Sequence, residues 1–171
     1  MKGQIKSIVA LFVICAVVAV MLAATNALTL PTIEEAERIA VQKSLKEVLP
    51  TGEQFEAMDL SSYSLPATVT AVYRASNGGY AVKLQTSGYS SGMVLLCGIG
   101  ADGTVSGATC LSSSETLGHE KSFGSRLVGH DSKSIDGVDA VSNATKTTEG
   151  YRNAVKDALL AVEILKGGVA Q

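Results

Sequence analysis

From Ser7 to Ile33 the chain carries no charged side chain, and Ile8 to Ala24 is almost wholly apolar. An apolar run of roughly 18 or more residues reads as a membrane-spanning helix, whereas the hydrophobic region of a cleaved signal peptide runs to about 7–15. The length favours a transmembrane anchor over residues 1–30. Thr25-Asn26-Ala27 places small residues where a signal peptidase would cut, which keeps a cleaved leader as the other reading. Cys15, in FVICAV, is not a lipoprotein acceptor, because Ile14 occupies the position where a small residue is expected. Lys2, Lys6 and the terminal amine stay cytoplasmic under the positive-inside bias. The expectation is a single-pass cell-membrane protein with its C-terminal part on the extracytoplasmic side.

That outer part, roughly 140 residues, is one domain by size and is large enough to bury a core. It holds 12 of the 14 basic residues and all 16 acidic ones, a formal charge of −4. A nucleic-acid partner needs a clustered basic footprint, so this balance argues against one. Cys97 and Cys110 lie in a compartment where disulfides persist. They flank a hairpin turn at Asp102-Gly103, in which a two-residue loop pairs Cys97 with Ala108 and leaves Cys110 diagonal to it. A bridge between them would require a bulge or a longer loop.

Residues 31–66 read as a juxtamembrane helix and connector, and 67–171 as the main domain, with the two expected to share one globular unit. In TIEEAERIAVQKSLKEVLP, Thr32 and Glu35 have capping-box spacing, and Ile39, Val41, Leu45, Val48 and Leu49 supply an apolar side before Pro50. Four β-like runs follow: ATVTAVYRA, YAVKLQTSG, GMVLLCGIG and TVSGATCLS. The turns Asn77-Gly78-Gly79 and Ala101-Asp102-Gly103 pair them as hairpins. Ser112 to Asp139 is long for a structureless loop and should contain short helices or function. TTEGYRNAVKDALLAVEILK then spaces Tyr151, Val155, Ala158, Leu159, Val162 and Leu165 at helical intervals before Gly167-Gly168. The predicted fold class is α+β: an N-terminal transmembrane helix, then one domain with an antiparallel sheet and flanking helices.

Two stretches nearly repeat each other, VSGATC (105–110) and VSNATKTT (141–148). The first lies within a predicted hairpin strand, where glycine marks a bulge or a close backbone approach. The second runs into the last helix, whose leading N–H groups can receive an anion. Local physics alone favours a purely structural reading, in which Ser142, Thr145 or Thr147 simply caps that helix.

The residues Asp139, Ser142, Ala144, Thr145 and Thr147 in DAVSNATKT stand where the FMN-binding domain family has Asp-x-x-Ser/Thr-Gly-Ala-Thr/Ser-x-Thr/Ser. The segment resembles that family's flavinylation motif, with Asn143 in place of glycine. Asn is the next-best residue where positive φ is required. The first copy fails the same test, since Gly103 stands in place of the aspartate and Leu111 in place of the final hydroxyl. Upstream, Glu115, Thr116 and Gly118 match the family's Glu-Thr-Pro-Gly-Leu-Gly block, with Leu117 for proline and His119-Glu120 for Leu-Gly. Phe123 and Gly129 match its next block, while Arg126 and Leu127 replace Gln-Phe. The likeness covers roughly Gly79 to Leu165. The single outward-facing anchor is similar to the branch of the family that supplies the G-type flavin carrier of Rnf complexes, itself related to the C-type carrier of the sodium-pumping Nqr complex.

The resemblance implies a covalent FMN, its phosphate joined by a phosphoester to the Thr147 hydroxyl. It implies a separate flavin transferase that installs the bond from FAD, so no activating base is assigned within the chain. Asp139, Ser142, Asn143, Ala144 and Thr145 are then recognition or loop-shaping residues, and Glu115, Thr116, Leu117 and Gly118 lie near the flavin ring. Other membrane components of an Rnf-type ion-translocating oxidoreductase complex would be partners, with this chain an electron carrier rather than a complete enzyme. The rival readings are a stand-alone exported flavoprotein and an anchored interaction module without cofactor. His119 and His130, eleven apart, lack the spacing of a metal site, and no Walker, dinucleotide or Gly-x-Ser-x-Gly fingerprint occurs.

Overall fold

The computed structural model describes residues 2–167, with backbone alone for 2–8 and 31–38. The first element, α1, runs unbroken from Lys2 to Val48. The helix expected to start at Thr32 is therefore the continuation of the apolar one. Its capping pair, Thr32 and Glu35, falls outside the described side chains. A proline reads as a boundary because it lacks an N–H and its ring crowds the carbonyl four residues back. In a 47-residue helix that single loss at Pro31 is absorbed.

The chain divides into two compact units, Met1–Ala40 and Val41–Gln171. In the first, Val9–Leu30 is a 22-residue stretch of mean hydropathy 2.5 with none of it buried. At 1.5 Å per residue it spans about 33 Å, against a hydrocarbon core of about 30 Å, so it is long and apolar enough to cross a membrane. The hydroxyls within it are satisfied locally: Thr25 Oγ1 donates to Met21 O and Thr29 Oγ1 to Thr25 O, each at 2.9 Å. Back-bonding of this kind is what lets threonine sit in an apolar helix.

The second unit is built on a five-stranded antiparallel meander in sequence order. Its strands are β1 (Phe55–Ala57), β2 (Val69–Ala75), β3 (Tyr80–Ser87), β4 (Ser91–Ile99) and β5 (Val105–Ser112). The four β-like runs of the sequence are β2 to β5. The short edge strand β1 lies in the stretch read as a connector, because three residues leave no alternation to detect. Two short helical pieces, α2 (Glu120–Phe123) and the 3₁₀ turn Gly124–Leu127, follow, then a second 3₁₀ turn, Ile135–Gly137. The final helix, α3, runs from Thr145 to Gly167.

Strand alternation explains the layering. Val82, Leu84, Leu95, Cys97 and Ile99 face α3, burying Tyr151, Ala154, Val155, Ala158, Leu159 and Val162. Ala81 and Leu96 point the opposite way, onto Val41, Leu45, Val48 and Leu49 at the end of α1. Helices on both faces are why the interior strand β4 is nearly all apolar rather than alternating. Phe123 and Tyr151 meet edge to face, their centroids 5.6 Å apart at 76°.

Cys97 faces Ala108 and Cys110 faces Leu95, the expected diagonal placement, but not by way of a two-residue loop. Gly100 N–H donates to Thr104 O and Ile99 faces Val105, so the loop is longer, and the bulge between Gly98 and Ile99 shifts the strands back to the Cys97–Ala108 pairing. Both cysteines are free thiols. Burial pushes the Cys97 thiol up from 9.0 to about 12. Since the thiolate is the nucleophile, iodoacetamide at pH 8 should leave Cys97 unmodified in the folded chain and label it on denaturation, as peptide mass mapping would read.

The same shift makes stability depend on pH. Between 9.0 and about 12 the unfolded thiol is ionised while the folded one keeps its proton. The folded state then binds more protons, so stability is complete below pH 9 and falls as pH rises through that window, by up to about 1.4 kcal/mol per unit. Tyr151, raised by burial with smaller contributions from Cys97 and Cys110, acts in the same direction. Urea unfolding at pH 8 and pH 10 should show the loss; equal midpoints would mean that the Cys97 thiol is solvated.

Candidate functional site

Three segments converge at the N-terminal end of α3. The first is the approach to the helix. Ile135 is fully buried, and Arg152 Nη1 donates to Val138 O at 2.7 Å, which pins the chain just before the motif. Val141 N–H donates to Thr148 Oγ1 at 3.1 Å, and the Thr148 hydroxyl donates in turn to Ala144 O at 2.9 Å. Ala144 N–H closes the turn onto Val141 O at 3.0 Å. Within it Asn143 has φ of 67°, the one non-glycine positive φ among the described residues.

That geometry accounts for asparagine in the family's glycine position. Asn tolerates the left-handed region through its short polar side chain, whereas a Cβ-bearing alanine does not. Asn143→Ala should cost about 1 kcal/mol and Asn143→Gly close to nothing. Thermal unfolding of the two variants checks this.

The capping alternative resolves differently from either sequence reading. Thr148 bonds back to the turn, not Ser142, Thr145 or Thr147. Thr148 is not among the sequence candidates because it lies outside the motif spacing; its burial to 1% shows only in three dimensions.

The second segment is the β3–β4 turn, Gly88-Tyr89-Ser90. It closes tightly on the helix because two side chains are missing. A Cβ at Gly150 would collide with Ser87 O, and one at Gly88 would lie 2.8 Å from Thr147 Cα and 2.7 Å from Glu115 Oε1. Neither glycine has a signal in the motif itself, since the need for them arises from another segment's backbone.

The third segment is the loop after β5. Thr147 Oγ1 donates to Glu115 Oε2 at 2.6 Å, and Ser90 N–H donates to Glu115 Oε1 at 2.9 Å. Bonds of this length to a charged acceptor are about twice as strong as neutral ones. One carboxylate thus joins all three segments: the motif's last threonine, the hairpin turn and its own loop. The sequence alone assigns no base to this chain, yet the structure puts a carboxylate on the Thr147 hydroxyl.

Around that junction lies a cleft of about 510 Å³, lined by Tyr89, Glu115, Thr116, Leu117 and Asn143 through Thr147. Its size falls in the usual range for small-molecule sites. Tyr89 is 73% exposed and Leu117 61%, so each offers an apolar surface to a planar ligand. The leading N–H groups of α3 and Lys146 face the other requirement, an anion. Gly118 turns the loop away with φ of 70° and does not line the cleft. Asp139 and Ser142 are exposed and also lie outside the lining. Of the ten candidate residues, seven therefore meet in one place.

A hydroxyl at the start of a helix, free N–H groups beside it and an open slot flanked by apolar side chains suit a phosphate-bearing planar cofactor. Residues 88–160, which contain all three segments, match the FMN-binding domain family. The segment that forms the cleft is thus similar to FMN-binding domains. Over 122 residues it is 40% identical to the G component of the Na(+)-translocating ferredoxin:NAD(+) oxidoreductase complex of Acetobacterium woodii, a match that covers 63% of this chain. The chain spans 59% of that relative's length.

Proposed function

We propose that this protein is a membrane-anchored electron carrier, holding FMN through a phosphoester at Thr147 Oγ1 and serving as the G-type component of an Rnf-type ion-translocating complex. The observation that carries the reading is the position of Thr147. It is the final residue of the flavinylation-like motif, and it lies in the cleft formed inside the matched domain. The residues fit the group: Thr147 supplies the ester oxygen, the helix N–H groups and Lys146 complement the phosphate charge, and Tyr89 and Leu117 flank the ring. FMN would supply one- or two-electron transfer; the protein supplies position and electrostatics. A covalent tether keeps the flavin from being lost outside the cell.

In this reading Val9–Leu30 anchors the chain with the domain on the extracytoplasmic face, and a separate transferase attaches the flavin. The full chain, produced together with such a transferase, should give a denaturing-gel band with flavin fluorescence and the mass increase of one FMN less water. A dark band despite an active transferase sinks the covalent claim. Solubilised from native membranes, the loaded chain should co-purify with multi-span membrane proteins and an iron–sulfur protein of the same complex. Recovery of the chain alone would favour a stand-alone flavoprotein.

A further inference from the structure

We propose that Glu115 is the general base of flavin attachment, contributed by the acceptor protein itself rather than by the transferase. This rests on the covalent reading of Thr147. A threonine hydroxyl is a weak nucleophile and needs a partner to take its proton as it attacks. Glu115 Oε2 is already 2.6 Å from Thr147 Oγ1, within the reach required of a base, and accepts that hydroxyl's hydrogen bond.

Three features hold the carboxylate there. Its other oxygen is fixed by Ser90 N–H at 2.9 Å. Gly88 leaves the space that both groups occupy, since a Cβ there would lie 2.7 Å from Glu115 Oε1 and 2.8 Å from Thr147 Cα. Thr147 is itself only 5% exposed, so the hydroxyl lacks a full shell of water to compete for its proton. A carboxylate beside a site meant for a phosphate is otherwise hard to explain. Two anions side by side repel, and a serine or asparagine would serve a merely structural contact at less electrostatic cost.

The proton transfer removes that conflict as the bond forms. Thr147 Oγ1 attacks the flavin-side phosphorus of a flavin adenine dinucleotide brought by the transferase. The Oγ1–P bond forms while the phosphoanhydride P–O bond breaks, and adenosine monophosphate leaves with the bonding electron pair. The hydroxyl proton passes to Glu115 Oε2, neutralising the carboxylate that faces the incoming phosphate. No redox change occurs.

The test is the rate of attachment to the full chain in detergent, with purified transferase and flavin adenine dinucleotide, read as in-gel flavin fluorescence and intact mass against time. Glu115→Gln keeps the size of the side chain and one acceptor oxygen, which serves either Ser90 N–H or the Thr147 hydroxyl, but it cannot take the proton. It should slow attachment about 100-fold or more, the usual contribution of a positioned base. Glu115→Asp should recover part of the rate, and Glu115→Ala should be no faster than Glu115→Gln. Ser114→Ala changes an exposed residue of the same loop outside the cleft lining, and unfolding midpoints of all variants report whether the domain is intact. Attachment to Glu115→Gln at the wild-type rate, or a loss no larger than that of Ser114→Ala, overturns the proposal. A wild-type chain that takes up no flavin overturns the covalent reading and this inference with it, whereas a loaded wild type and an equally fast Glu115→Gln overturn the inference alone.

Discussion

Thr147→Ala should abolish covalent flavin, and Thr109→Ala should leave it at the wild-type level. The two threonines sit near the end of almost the same letters, so the comparison asks whether the surroundings or the letters make the site. Thr147 opens α3 and lines a cleft of about 510 Å³, with its hydroxyl bonded to Glu115. Thr109 lies mid-strand in β5, opposite Leu96. On the proposed phosphoester, losing the Thr147 hydroxyl removes the ester oxygen itself, so the expected effect is total rather than graded. Thr147→Ser keeps the oxygen and should retain attachment. Gel fluorescence of the full chain, produced with the transferase, reads all three, and the Thr147→Ala unfolding midpoint confirms that the domain survives. A fluorescent Thr147→Ala band would move the ester to another hydroxyl and end the assignment.

The second large effect is on stability, and it explains what the first copy is for. In VSGATC, Ser106 Oγ donates to Val48 O at 2.6 Å, supplying a partner to a carbonyl at the C-terminal end of α1. Such carbonyls lack intrahelical donors. Gly107 lets the helix end lie flat on the sheet: a Cβ there would come within 2.8 Å of Val48 Cα and Val48 O. Across the hairpin Gly98, paired with Gly107, would meet the same Val48 carbonyl.

Each of these contacts is with backbone, which cannot rotate away as a side chain can. Gly107→Ala should therefore cost about 1–3 kcal/mol, as overpacking of a filled interior does. That corresponds to a fall in Tm of roughly 3–10 °C for a unit of this size. Ser106→Ala leaves the Val48 carbonyl unpaired and should cost about 1 kcal/mol. Gly137→Ala is the control, since a Cβ there meets nothing within 4 Å. Thermal unfolding of the full chain by circular dichroism would show the order. Gly107→Ala unfolding together with Gly137→Ala would mean that the helix end is not seated on β4 and β5.

Much of the fold is legible along the chain because its signals are local. The apolar span, the four strand runs with their Asn-Gly and Asp-Gly turns, and the 3.6-residue spacing of Tyr151, Val155, Leu159 and Val162 all come from neighbours in sequence. The diagonal of Cys97 and Cys110 is as expected but is reached by another route, a longer loop offset by the bulge at Gly98/Ile99, which no local signal records. The continuity of α1 through Pro31 and the edge strand β1 escape such reading: the first overrides a local breaker, and the second is too short to carry a period.

By itself, then, the sequence determines the order of elements, the residues that form the buried faces, and which of the two near-repeats has the motif spacing around Thr147. Tertiary structure decided what those repeats do. It seated Ser106 and Gly107 under the end of α1, and it brought Glu115, thirty-two residues before Thr147, onto the hydroxyl through the gap left by Gly88. The physical reason is the same in both cases. Hydrogen bonds of this kind and the glycines that make room for them join residues far apart along the chain, and no periodicity or spacing within one segment records which distant atom will fill the space beside it.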